Sequence, residues 1–225
     1  MEIKNRTDHD PVADLPMVDA YMRWALLSAE EVIGKNGMTV VLREAKLDRL
    51  INNYPPDELK VTLGLSFGDY AALNAGLLTF FGRAGRSMGL RIGRQTARYA
   101  IEIQGPLFGT AALLGAKVLP MASQLKMGLT AMQVGMRKLA QSVGSDRHME
   151  LEDRGDCFAY VDYHCPFSAG KLSDEVLGWI QTGAISEALR WQTGKEFEVE
   201  QSACRSMGAP ASIWLVKKTP KQVTV

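Results

Sequence analysis

The chain has 225 residues and a mass of 24.7 kDa, with 46% hydrophobic, 23% charged and 8% aromatic residues. Those proportions exclude a disordered, collagen-like or disulfide-stapled protein and allow a core large enough to fold without staples. Net charge is +1, which gives no global attraction to nucleic acid or anionic lipid, but it is segregated: residues 1–60 carry −3, 61–145 carry +7 and 146–225 carry −3.

The first helix is expected over Asp14–Ile33, where Val18, Met22, Ala25, Ala29 and Val32 recur at helical spacing before Gly34 and Gly37. A second, short one is expected over Leu42–Ile51, ahead of the Pro55, Pro56 pair. Phe67–Ile103 is helix-compatible throughout despite Gly82, Gly85, Gly89 and Gly93. At 100° per residue these glycines fall in one arc of about 80°, and Arg83, Arg86, Arg91, Arg94 and Arg98 form a basic face away from it. A stripe without side chains lets another helix approach the backbone, so it is the predicted interface. The arginine face is the candidate surface for an acidic protein partner.

Gly105 and Pro106 break the helix, and Leu107–Leu119 and Met121–Val143 read as further helical stretches parted at Pro120. Gly105–Val143 contains no acidic residue, but its longest clean apolar run, Gly105–Ala116, is 12 residues against the ~20 needed to cross a bilayer. No membrane span is expected; the stretch reads as core or as a lipophilic cavity wall. From His148 the pattern alternates. Met149–Glu152 and Cys157–Tyr163 form a hairpin around Asp153–Asp156, a helix capped by Ser173 runs to Thr193, and Glu196–Ala203 pairs with Ala211–Lys217.

The predicted fold class is therefore α+β, with N-terminal helices packed on a C-terminal antiparallel sheet of about four strands carrying an inserted helix. One domain spans 1–225: a flexible arm at 1–16, a helical half at 17–145, a strand-strand-helix-strand-strand half at 146–218 and a tail at 219–225. Cys157, Cys165 and Cys204 lack CxxC spacing and suit a reducing compartment. Met1–Pro11 is too polar for a signal peptide, so a cytoplasmic protein is expected.

No catalytic residue is assigned. His9, His148 and His164 stand in no HExxH, and adjacent His164 and Cys165 would point to opposite faces of a strand. No metal or cofactor is assigned either. The predicted ligand-binding residues are Phe108, Met127, Met132, Phe158, Tyr160, Trp179 and Thr182, which would line an apolar pocket between helices and sheet, with Tyr160 or Thr182 orienting the ligand.

His164–Lys217, through the helix around Gly183, the TGK at Thr193–Lys195, the strand ending at Cys204 and Gly208, resembles the 4-vinyl reductase type hydrocarbon-binding domain. A weaker likeness, through EEVIGKNG, VLREAKLDRLINNYPP and the glycine-rich helix, extends it to Tyr21. The resemblance implies a Bet-three-like fold shared with transport-tether subunits and haem nitric-oxide sensors, a dimer, and a non-catalytic, sensory role in binding a small apolar or aromatic, hydrocarbon-like ligand. It carries two alternatives, an accessory or enzyme of tetrapyrrole (bacteriochlorophyll) vinyl reduction and a protein–protein module like the tether subunits. Zinc-holding relatives would place ligands at Gly178, Gln201, Cys204 and Ser212, of which only Cys204 is a ligand type. The YxSxR haem-propionate motif of the nitric-oxide sensing branch is missing from the sequence.

Overall fold

The computed structural model describes residues 2–222. Helix α1, Asp19–Glu44, is broken at Gly34, where the sequence predicts its first part to stop. Gly34 takes φ 74°, ψ 162° and bends the chain, and the helix resumes because Met38, Val41 and Leu42 still have a core to enter. Leu42–Glu44 thus close α1 rather than open a second helix, and only a 3-10 turn, Asp48–Leu50, follows.

A capping box starts α2, Phe67–Phe81: the Asp69 amide donates to Ser66 Oγ at 3.3 Å and the Ser66 amide to the Asp69 carboxylate at 3.0 Å. Gly82, at φ 53°, turns the chain into α3, Arg83–Gln104, so the long central element is two helices. Short α4, Thr110–Gly115, lies between 3-10 turns at Gly105–Phe108 and Ala116–Val118, and α5, Met121–Gln141, begins after Pro120.

The remaining chain builds the sheet. The arm is tied down: β1, Ile3–Asn5, pairs antiparallel with β4, Lys171–Ser173. Asp10 accepts from the Gly170 amide and from Arg205, each at 2.9 Å. Strands β2 (Met149–Asp153), β3 (Cys157–Asp162), β5 (Phe197–Ala203) and β6 (Ser212–Pro220) form a four-stranded antiparallel sheet in the order β2-β3-β6-β5. The predicted fold class holds. Of the predicted tail, residues 219–222 are described, with β6 running to Pro220, and 223–225 lie outside the described residues.

Helix α6, Trp179–Thr193, connects β4 to β5 and stops at Gly194, φ 71°. It does not start at Ser173, which ends β4 and accepts from the Glu175 amide at 3.2 Å in the following turn. Its main partner is α3. A Cβ at Gly93 would sit 1.8 Å from the Ile180 carbonyl oxygen, one at Gly89 would sit 2.9 Å from Trp179 Cβ, and one at Gly183 would sit 2.1 Å from the Leu90 carbonyl oxygen. The glycine stripe is thus occupied by this chain's own α6, while Gly85 faces Leu77 and Leu78 of α2 and Gly82 serves the bend. Among the described residues no helix is long and apolar enough to cross a membrane.

Candidate functional site

The close approach of α3 and α6 is made by small side chains, and where it widens toward α1 and α5 a cavity of about 70 Å³ remains. Ala97 and Ala100 of α3 and Ala184 and Ala188 of α6 form one wall. Tyr21 and Trp24 of α1, Tyr70 of α2, and Met132 and Met136 of α5 form the others, with Phe108 and Leu113 at the α4 end. The surface is almost wholly apolar. Two wall residues nevertheless bring buried polar atoms without a hydrogen-bond partner among the described residues, the Tyr70 hydroxyl and Gln192 Oε1. The Gln192 amide nitrogen is committed, donating to the Gln124 carbonyl at 2.8 Å. Burial first, and then neighbouring Tyr21, push the Tyr70 hydroxyl well above its ordinary range, so it stays protonated as a donor.

Of the predicted lining residues, Phe108 and Met132 lie on this cavity. Met127 faces an open groove on the other side of Phe108 and Leu113. Phe158 and Tyr160 are sealed within the core, where Tyr160 meets Trp214 edge-on at 6.4 Å. Trp179 packs beneath Arg86, whose guanidinium carbon is 5.8 Å from the indole centroid. Thr182 is committed on both sides, donating to the Gly178 carbonyl at 3.0 Å and accepting from Trp214 Nε1 at 3.1 Å. The pocket lies between helices rather than between helices and sheet, because Trp214, Tyr160 and Phe167 fill the space over β3 and β6. The residues that sequence reasoning missed are the alanines and Tyr70.

The arginine face is partly taken up by this chain's own carboxylates, while Arg83 and Arg91 are exposed. Arg86 pairs with Glu175. Arg94 reaches Glu187 at 3.0 Å and Glu196 at 2.8 Å, and Arg98 reaches Glu187 at 2.7 Å. These three charges complement the chain's own α6 and β5.

The four positions aligned with zinc ligands form two hydrogen-bonded pairs. The Gly178 amide donates to Gln201 Oε1 at 2.7 Å, and Cys204 Sγ lies 3.0 Å from Ser206 Oγ and 4.0 Å from Ser212 Oγ. A side chain at Gly178 would meet Trp214 at 2.4 Å, so the indole fills that space. Cys165 is buried, and desolvation followed by the Asp162 charge pushes its thiol up to about 12, against thiolate chemistry.

No family model matches the chain, and no curated protein matches it. Solved structures do. The chain is similar to an Fe(II) unliganded H-NOX protein from K. algicida (11% identity, TM-score 0.54, covering 93% of this chain and 100% of that one). It is similar to an H-NOX protein used to probe the function of haem distortion (12%, 0.54, 93% and 99%). A third is an oxygen-binding H-NOX domain related to soluble guanylate cyclases, in its oxygen complex (15%, 0.52, 91% and 96%). The fold is the H-NOX fold. This corrects the resemblance drawn from His164–Lys217: the 4-vinyl reductase assignment and its hydrocarbon-binding label are not upheld.

One of these neighbours is a protein in which haem distortion is probed, and the cavity of this chain differs from a haem site in its donors and its size. Among the described residues the wall holds no histidine or cysteine; its candidate donors are Met132, Met136 and the Tyr21 and Tyr70 hydroxyls, which burial keeps protonated and so poor ligands. Among the described residues no lysine or arginine lines it to meet carboxylates. All three histidines are elsewhere: His9 against Asp14 at 3.1 Å, His148 against Glu150 at 2.9 Å, and His164 against the Asp146 carbonyl at 3.0 Å. A space of about 70 Å³ is also far below the ~300–1,000 Å³ typical of cofactor pockets. These residues do not fit haem.

Proposed function

We propose that this chain is a sensory binding domain on the H-NOX fold, recognising a small neutral molecule in the interhelical cavity without haem. One observation carries the reading: an apolar cavity walled by α1, α2, α3, α5 and α6, two of whose wall residues, Tyr70 and Gln192, hold a buried polar atom just behind the apolar surface. Buried polar groups left unpaired cost roughly 1–3 kcal/mol each. A ligand toward which either side chain turns recovers part of that cost, while apolar burial supplies the rest of its affinity. The volume suits a molecule of a few heavy atoms, and the methionines and Phe108 can reshape to admit a larger one.

The same walls provide a means of signalling. A ligand between Trp24 of α1, Met132 of α5 and Gln192 of α6 touches helices from both halves of the chain, and binding one spacing of those helices better than another shifts their populations.

The test is methyl NMR of methionine-labelled protein against a panel of small neutral compounds, with haemin as a separate arm. Saturable shifts at Met132 and Met136, weakened several-fold by Tyr70→Phe, are the expected result. A panel that leaves both methyls unmoved overturns the reading. A stoichiometric haem complex with a sharp Soret band, lost in Met132→Leu or Tyr70→Phe, overturns its haem-free part.

A further inference from the structure

Residues 103–145 contain no aspartate or glutamate and four cations, Lys117, Lys126, Arg137 and Lys138. The whole chain is close to neutral, so this is a local feature. Its apolar residues are not all buried. At the turn joining α4 to α5, Val118 is 89% exposed, Leu114 48% and Leu119 40%, and Pro120 and Ala122 are exposed beside them. Contiguous exposed apolar surface of this kind marks an interaction site, whereas a single exposed leucine does not.

Behind the turn, an open groove of about 520 Å³ runs between residues 106–113 and the outer side of α5. Val134 lies in it, together with Lys126 and Lys138. Lys117, Lys126 and Lys138 have no carboxylate within 4.0 Å among the described residues, unlike Arg86, Arg94 and Arg98. The cations here are free and the apolar side chains protrude.

We propose that the α4–α5 turn docks on an anionic lipid surface, with Leu114, Val118 and Leu119 entering the headgroup layer and Lys117 and Lys126 against lipid phosphates. Two features favour lipid over a folded protein partner. A valine 89% exposed stands proud of its surroundings, a shape that inserts among headgroups but buries poorly against a flat protein face. The absence of acidic residues along 103–145 lowers the repulsion that anionic headgroups would otherwise impose. The arrangement holds whether or not the inner cavity binds a ligand.

The full chain is tested by flotation with phosphatidylcholine vesicles made with and without phosphatidylserine, at low and high salt. It is expected to float only with phosphatidylserine and to be released by salt. Lys117→Gln and Lys126→Gln should each weaken binding about fivefold, the effect of one cation near an anionic surface. Val118→Asp with Leu119→Asp should abolish flotation while leaving the thermal unfolding midpoint unchanged, since neither side chain is in the core. No flotation at low salt, or undiminished flotation of the double aspartate variant, overturns the proposal. So does a chain that ignores vesicles but dimerises through this turn, seen as a dimer in sedimentation that Val118→Asp dissolves.

Discussion

Arg147 donates to the Asp162 carboxylate at 2.6 Å with both side chains sealed from solvent, one from the loop before β2 and the other at the end of β3. Burial opposes the guanidinium charge, and the Asp162 carboxylate outweighs it and holds the arginine protonated. Phe67 of α2 lies under the guanidinium at 5.6 Å, so the pair joins the sheet to the helical half. Removing one partner leaves the other charge buried and alone. Arg147→Met is therefore expected to cost about 3–5 kcal/mol in urea unfolding. The double variant Arg147→Met, Asp162→Leu should recover most of that loss; a double variant as unstable as the single one would show that the pair's surroundings, not its charges, set the cost.

Glu187 of α6 gives a pH dependence with a definite sign. Its burial raises the pKa, but hydrogen bonds from Arg190, Arg98 and Arg94 outweigh this and carry it from the ordinary 4.5 to about 2. A carboxylate with a depressed folded pKa stabilises the fold fully above its unfolded value, and that contribution is lost as pH falls through the folded one. Stability should therefore decline between about pH 5 and pH 2 by on the order of 2 kcal/mol from this group, a figure reduced for the solvent around the three arginines. Urea titrations across that range should show the decline in the native chain and a shallower one in Glu187→Gln.

Much of the architecture was legible in the residues. Gly194, Pro120 and the Asp153–Asp156 turn end or join elements where expected, because each acts through local backbone geometry. Gly34 breaks the first helix where expected, through its positive φ, and what the sequence did not show is that burial of Met38 and Val41 restarts helical structure directly after it. Three-residue strands such as β1 and β4 are too short to show alternation. The cavity was harder to see. Its space comes from Ala97, Ala100, Ala184 and Ala188, and alanine favours helices everywhere without indicating a void. Tyr70 gives no sequence signal either, because what distinguishes it is a missing partner in three dimensions.

Thr182 was read as a ligand donor and is instead a structural hydrogen-bonding partner of Trp214. Thr182→Val keeps the shape and leaves the buried indole N–H without an acceptor, which should cost about 1–3 kcal/mol and alter Trp214 fluorescence. The variant should leave the Met132 and Met136 methyl responses to cavity ligands in place, since Thr182 is not part of the cavity wall. Loss of those responses without loss of stability would return Thr182 to the site.

The backbone approach of α3 to α6 makes glycine identity decisive at some positions and irrelevant at others. A methyl at Gly93 would meet the Ile180 carbonyl oxygen at 1.8 Å and the Ala184 amide nitrogen at 2.9 Å, both backbone atoms that cannot swing aside. Gly93→Ala must therefore push the helices apart, and a cost of about 3 kcal/mol or more is expected, at or beyond the upper end for overpacking. Gly115, at the end of α4, has right-handed helical geometry and nothing within 4 Å of an added Cβ. There, Gly→Ala should stabilise by up to about 1 kcal/mol through helix propensity and a less flexible unfolded chain. Because Gly93 also lies beside cavity residues Ala97 and Ile180, widening the α3–α6 approach should enlarge the cavity. Xenon-induced shifts of the Met132 and Met136 methyls would then be larger in Gly93→Ala than in Gly115→Ala, and equal shifts would show that the cavity and the helix crossing are mechanically independent.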